Sequence, residues 1–153
     1  MTTTTREIRL ASRPDGEPTE ENFELAEVEI GEPGPGEMLV RNSYLSVDPY
    51  MRGRMRDVKS YIPPFQIGAA LDGGAVGQVV ASNGGQLEEG AWIQHLAGWR
   101  EHSVIDGGYP VDPAVAPIST SASSKFSSVG SPSGREARRI SRLVALMTHD
   151  PKA

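Results

Sequence analysis

The chain has 153 residues, of which 37% are hydrophobic and 23% charged, an ordinary globular mixture with room for one domain and a real core. It contains no cysteine, which excludes disulfides, thiolate metal sites and cysteine nucleophiles, and no apolar run nears the ~20 residues that cross a bilayer. The net charge of −5 is unevenly distributed: residues 1–118 carry 9 Lys+Arg and 18 Asp+Glu, whereas residues 119–153 carry 6 and 2 and include nine serines.

The acidic body reads as strands and turns. Arg6 to Ala11 alternates polar and apolar residues and meets a turn signal at Arg13-Pro-Asp-Gly16. Asn22 to Ile30 alternates with Phe23, Leu25, Val28 and Ile30 as inward positions, and its slip in phase near Ala26 predicts a bulge or a change of twist. After the breaker cluster Gly31-Glu-Pro-Gly-Pro-Gly36, Glu37 to Val47 is a strand with Met38, Val40, Leu45 and Val47 inside. Asp48 is placed to cap a short helical turn, with Pro49 at its first position and Gly53 at its end. Ala75–Ala81, Ala91–Leu96 and Glu101–Ile105 complete a set of short strands expected of a small barrel or sandwich.

The tail differs. Residues 119–131 have neither period and are expected to be disordered, whereas Ser133 to Met147 has capping-box spacing and apolar Ala137, Ile140, Val144 and Met147 at helical intervals. Its arginines invite a nucleic-acid or membrane reading, but without interleaved aromatics they are better read as a solvated face. No nucleic acid and no membrane is expected as a partner.

Gly73, Gly74 and Gly77 do not have the G-x-G-x-x-G spacing of a dinucleotide fingerprint, and the residues after them favour a strand over a helix. These glycines are read as sites of close backbone packing. Glu101 and His102 are neighbours on a strand and face opposite ways, so they and His95 make no metal site. No G-x-S-x-G elbow is present.

Asn42-Ser-Tyr-Leu-Ser-Val-Asp-Pro-Tyr-Met-Arg-Gly-Arg-Met55 is more specific. It resembles the N-terminal signature of the medium-chain reductases related to prostaglandin and leukotriene reductases, plant double-bond reductases and bacterial curcumin reductase. Pro35–Arg41, Gly73–Ser82, Gly98–Val104 and Val111–Pro117 resemble further segments of that family in the same order. The resemblance implies a mainly β, GroES-like, partly open barrel over residues 1–118, with short helical turns. It implies an NADP-dependent oxidoreductase that reduces the C=C bond of a small α,β-unsaturated carbonyl substrate, in a zinc-independent branch that fits the absence of cysteine.

Tyr50, which matches the tyrosine of the family's DPYMR motif, is the implied contact to the substrate carbonyl. Tyr61 and Arg52 are weaker pocket candidates. Ala91 departs from the aspartate usual in the family. The match stops near Ile118, where the family continues into a helix and a Rossmann domain. The expectation is therefore a substrate-side domain severed by a frameshift or deletion, with residues 119–153 a non-family tail. No residue here is expected to bind NADP(H) well, no metal is expected, and the chain alone is expected to lack activity. The alternative is a free-standing barrel that interacts, or self-associates, through a surface normally covered by the cofactor domain. A cytoplasmic location is the default.

Overall fold

The computed structural model describes residues 2–112 and 114. The tail expectations for residues 119–153 lie outside the described residues. The described chain is mostly β, with seven strands and one short α-helix. Strands β1 (Thr3–Leu10) and β2 (Phe23–Ile30) form an antiparallel pair, separated by a single 3-10 turn at Glu20–Asn22. A second, five-stranded antiparallel sheet has the order β6-β3-β4-β5-β7, built from β3 (Met38–Leu45), β4 (Ala75–Ser82), β5 (Trp92–His95), β6 (His102–Ile105) and β7 (Tyr109–Val111). The sheets stay open, giving a partly open barrel rather than a closed one.

The β1–β2 ladder runs without interruption from Thr3↔Ile30 to Leu10↔Phe23, so the bulge expected near Ala26 is absent. Leu25, expected inside, is 41% exposed. The unbroken ladder is the reason: strict alternation puts Ala26, Val28 and Ile30 on one face and leaves Leu25 on the other. The register shifts occur on β3 instead, between Leu39 and Val40 and between Asn42 and Tyr44 where it pairs with β4. Close approach at this seam explains a glycine: a Cβ on Gly77 would lie 2.5 Å from the Arg41 carbonyl oxygen.

The hairpin is stitched to the rest by backbone hydrogen bonds. Ile8 N–H donates to the Trp99 carbonyl at 2.9 Å, Leu71 N–H to the Ile8 carbonyl at 2.9 Å, and Glu101 N–H to the Arg6 carbonyl at 2.9 Å. The Glu101 carboxylate also accepts from the Arg6 backbone N–H at 3.0 Å and from Arg6 Nε at 2.8 Å.

The described residues hold two apolar cores. One gathers Ile8, Leu10, Met51, Met55, Phe65, Leu71 and Trp99 between the hairpin and the helix. The other lies along the five-stranded sheet, with Met38, Val40, Val79, Ile93 and Ile105. Trp99 is 2% exposed and holds φ 61°, a conformation uncommon for a non-glycine residue.

A buried polar network joins the strands beside the second core. His95 Nδ1 accepts from the Ala97 backbone N–H at 3.1 Å, so Nε2 carries the proton and donates to Asn42 Oδ1 at 2.8 Å. Asn42 Nδ2 in turn donates to the Arg100 carbonyl at 2.8 Å and to Ser103 Oγ at 2.9 Å, and Ser103 Oγ donates to the Ala97 carbonyl at 2.5 Å. Each side chain in this chain of contacts is fixed in a single orientation.

Candidate functional site

The α-helix α1 spans Pro49–Arg54. Pro49 opens it, as its fixed φ and missing N–H favour. Two expectations need correction here. Asp48 is the N-cap residue as expected, but its side chain makes no cap hydrogen bond; its carboxylate accepts from Ser46 Oγ at 2.8 Å instead. Gly53 does not end the helix, which runs on to Arg54 with Met55 as the C-cap, because burial of Met55 holds the turn closed. Met51 and Met55, four residues apart, lie on one face and are 3% and 4% exposed. That anchor leaves Tyr50, Gly53 and Arg54 on the outer side, with Tyr50 and Arg54 again four residues apart.

The outer side of α1 forms one wall of an open cleft of about 330 Å³, near the lower end of the range that holds small ligands. Tyr50 and Arg54 line it from the helix; Val58, Tyr61 and Ile62 line it from the following segment. The structure thus brings Tyr50 and Tyr61 to one cleft. Arg52 goes elsewhere: a guanidinium nitrogen donates to the Gly16 carbonyl and ties α1 to the turn after β1. Sequence reasoning passed over Arg54. Its i,i+4 spacing from Tyr50 was the available signal, but an arginine on a short helix usually reads as a solvated charge.

Tyr50 is 36% exposed. Burial is the main cause that pushes its phenol above the usual tyrosine range; the Asp48 charge adds to this, Arg54 opposes it and Asp72 adds again. The phenol is protonated at neutral pH, as a tyrosine ordinarily is, and so able to donate a hydrogen bond. Tyr61 stands at the mouth and is 88% exposed.

The glycine-rich stretch before β4 is filled by the protein's own atoms. A Cβ at Gly73 would meet Met51 Cε at 2.3 Å and Trp99 Nε1 at 3.1 Å, and one at Gly74 would meet Ser46 Cβ at 3.2 Å. A strand follows, with no helix N-terminus aimed at a phosphate. These residues do not fit a dinucleotide pyrophosphate. Among the described residues no cluster of three His, Asp or Glu is placed to hold a metal ion. His95 is spent in its network, and His102 Nδ1 lies 3.2 Å from Thr5 Oγ1.

Residues 6–112 match the family described as the N-terminal domain of oxidoreductase. The chain belongs to this family. It is 48% identical over 98 residues to the NADPH-dependent curcumin reductase of Escherichia coli, covering 64% of this chain and 28% of that protein. It is 34% identical over 104 residues to the NADP-dependent 2-alkenal reductase of Nicotiana tabacum, covering 65% of this chain and 30% of that one. Among solved structures, CurA from Vibrio vulnificus in complex with NADPH superposes with a TM-score of 0.69 at 45% identity, over 75% of this chain and 35% of CurA. The chain therefore spans about a third of the length of these relatives. The first two are NADP-dependent reductases, CurA is solved with NADPH, and the GroES-like architecture expected from the sequence is the one shared with CurA.

Proposed function

We propose that residues 1–118 form the substrate side of an NADP-dependent reductase of α,β-unsaturated aldehydes or ketones, with residues 119–153 a separate, non-family segment. The observation that carries this reading is the placing of Tyr50 and Tyr61 on one small cleft, in a chain of this family. A nicotinamide bound against the cleft supplies the hydride; the described residues supply no site for its pyrophosphate. Their task is to bind and orient the enone and to stabilise charge on its oxygen.

As a β-carbon is reduced, negative charge grows on the carbonyl oxygen, and a donor aimed there lowers the barrier. Tyr50, on the α1 wall of the cleft, is that donor. Tyr61, Val58 and Ile62 cover the carbon skeleton and reduce its contact with water. Arg52 acts at one remove, by tying α1 to the Gly16 turn.

The isolated 153-residue chain is accordingly inactive with NADPH and an alkenal. A chimera with residues 1–112 in place of the matching third of E. coli curcumin reductase reduces 4-phenyl-3-buten-2-one. Tyr50→Phe in that chimera lowers kcat about 100-fold, the scale of losing one oxyanion donor. Unchanged kcat in that variant would remove Tyr50 from the chemistry, and turnover by the chain alone would refute the division of labour.

A further inference from the structure

Arg54 sits where the two walls of the cleft meet. Its guanidinium forms a paired contact with the Asp72 carboxylate: Nη2 donates to Oδ2 at 3.1 Å, and Nη1 to Oδ1. Its Nε donates to the Pro63 carbonyl at 2.8 Å, and its guanidinium carbon lies 4.0 Å from the centre of the Phe65 ring. Its own carbonyl accepts the Phe65 N–H at 2.8 Å. The side chain is only 12% exposed. One residue of α1 thus reaches the far end of the segment that carries Tyr61 and the lead into β4.

The segment from Arg56 to Pro64 has no helix or strand of its own, and its ends are drawn together in the manner of an Ω-loop. Arg13 pins it from the other side, donating to the Met55 carbonyl at 3.0 Å and to the Phe65 carbonyl at 3.2 Å. Arg13 does not line the cleft, whereas Arg54 does. A planar fork satisfied on both arms, stacked on an aromatic ring, fixes geometry in a way an ammonium does not.

We propose that Arg54, clamped by Asp72, is the positioning residue of this cleft: it holds the Tyr61 loop against α1, so that Tyr61 covers the skeleton of a ligand whose carbonyl meets Tyr50. This rests on the reading of the cleft as an enone site. The two charges of the clamp also act on Tyr50 in opposite senses, Arg54 favouring the phenolate and Asp72 opposing it, with Asp48 as the remaining charge that faces this phenol.

The test uses the full 153-residue chain with isotope-labelled tyrosines and 4-phenyl-3-buten-2-one as probe, read by NMR. In the wild type the probe shifts the Tyr50 and Tyr61 signals. Arg54→Gln and Asp72→Asn each weaken probe binding about tenfold, yet they move the Tyr50 titration apart, upward for Arg54→Gln and downward for Asp72→Asn. Arg54→Lys keeps the charge without the fork, so it weakens the probe while leaving the titration near the wild type. An arginine acting on Tyr50 through its charge alone would instead leave the probe affinity of Arg54→Lys at the wild-type value.

If Arg54→Gln does not fold, as a collapsed amide spectrum would reveal, Arg54→Lys and Asp72→Asn carry the comparison. Unchanged probe affinity in the folded variants overturns the positioning role and leaves the cleft reading intact. A probe that moves neither tyrosine in the wild type removes both.

Discussion

At the scale of single residues, His95 records how this fold treats a titratable group. It is 4% exposed, and burial, helped by the Arg100 charge, lowers its pKa to about 4. The hydrogen bonds agree: a second ring proton would face the Ala97 N–H, itself a donor. An unfolded histidine titrates near ~6.5, so between that pH and about 4 the unfolded chain binds the extra proton and stability falls as pH falls. The contribution is complete above ~6.5 and amounts to on the order of 3 kcal/mol. His102, also lowered chiefly by burial, adds in the same direction. Urea midpoints should therefore drop clearly from pH 7.5 to pH 4.5; a flat profile would mean that His95 accepts its proton in the folded state.

Residue chemistry was partly legible in the sequence. The glycines before β4 were readable as packing glycines because a strand, not a helix, followed them. The His95–Asn42–Ser103 network was not readable, since its members are far apart in sequence and meet only through the β3 bulge and the β5 and β6 registers. For the same reason Asp72 gave no sign of being Arg54's partner.

At the scale of elements, alternation located most strands, and the DPYMR segment located the helix. β7 was missed because Tyr109-Pro-Val111 contains a proline and follows two glycines, both breaker signals. Its position explains the tolerance: it lies at the sheet edge, where a missing N–H disturbs least. The phase slip in β2 was real, but it reports a leucine left on the solvent face rather than an inserted residue. Helix α1 is too short to be stable by propensity, so its orientation depends on Met51 and Met55 being buried in the first core. Met51→Ala should cost about 3 kcal/mol, within the usual range for emptying a core site, and should broaden the amide signals of Tyr50 and Gly53. Thermal denaturation and the same spectrum check both; loss of stability without a change at Tyr50 would show that α1 is held by other contacts.

At the scale of the whole molecule, the division of labour proposed above is uneven. The described residues carry a cleft with two tyrosines and a braced loop, whereas their glycine-rich stretch is occupied by protein atoms. Family membership follows from the match over residues 6–112, which spans about a third of the lengths of its relatives. The collinear motifs made the fold and family legible because they encode turns and strand ends, which are local. The cleft was legible only as far as Tyr50 and Tyr61, because its geometry depends on contacts with Asp72 and Phe65 that no motif records.

The most direct test of this division is a backbone amide spectrum of the isotope-labelled chain, recorded alone, with excess NADPH, and with excess 4-phenyl-3-buten-2-one. The account predicts a dispersed spectrum that NADPH leaves unmoved and that the enone shifts at Tyr50, Gly53 and Tyr61. Specific NADPH shifts at Gly73, Gly74 and Gly77 would contradict it, because they would place the cofactor's phosphates where the structure leaves no room for them.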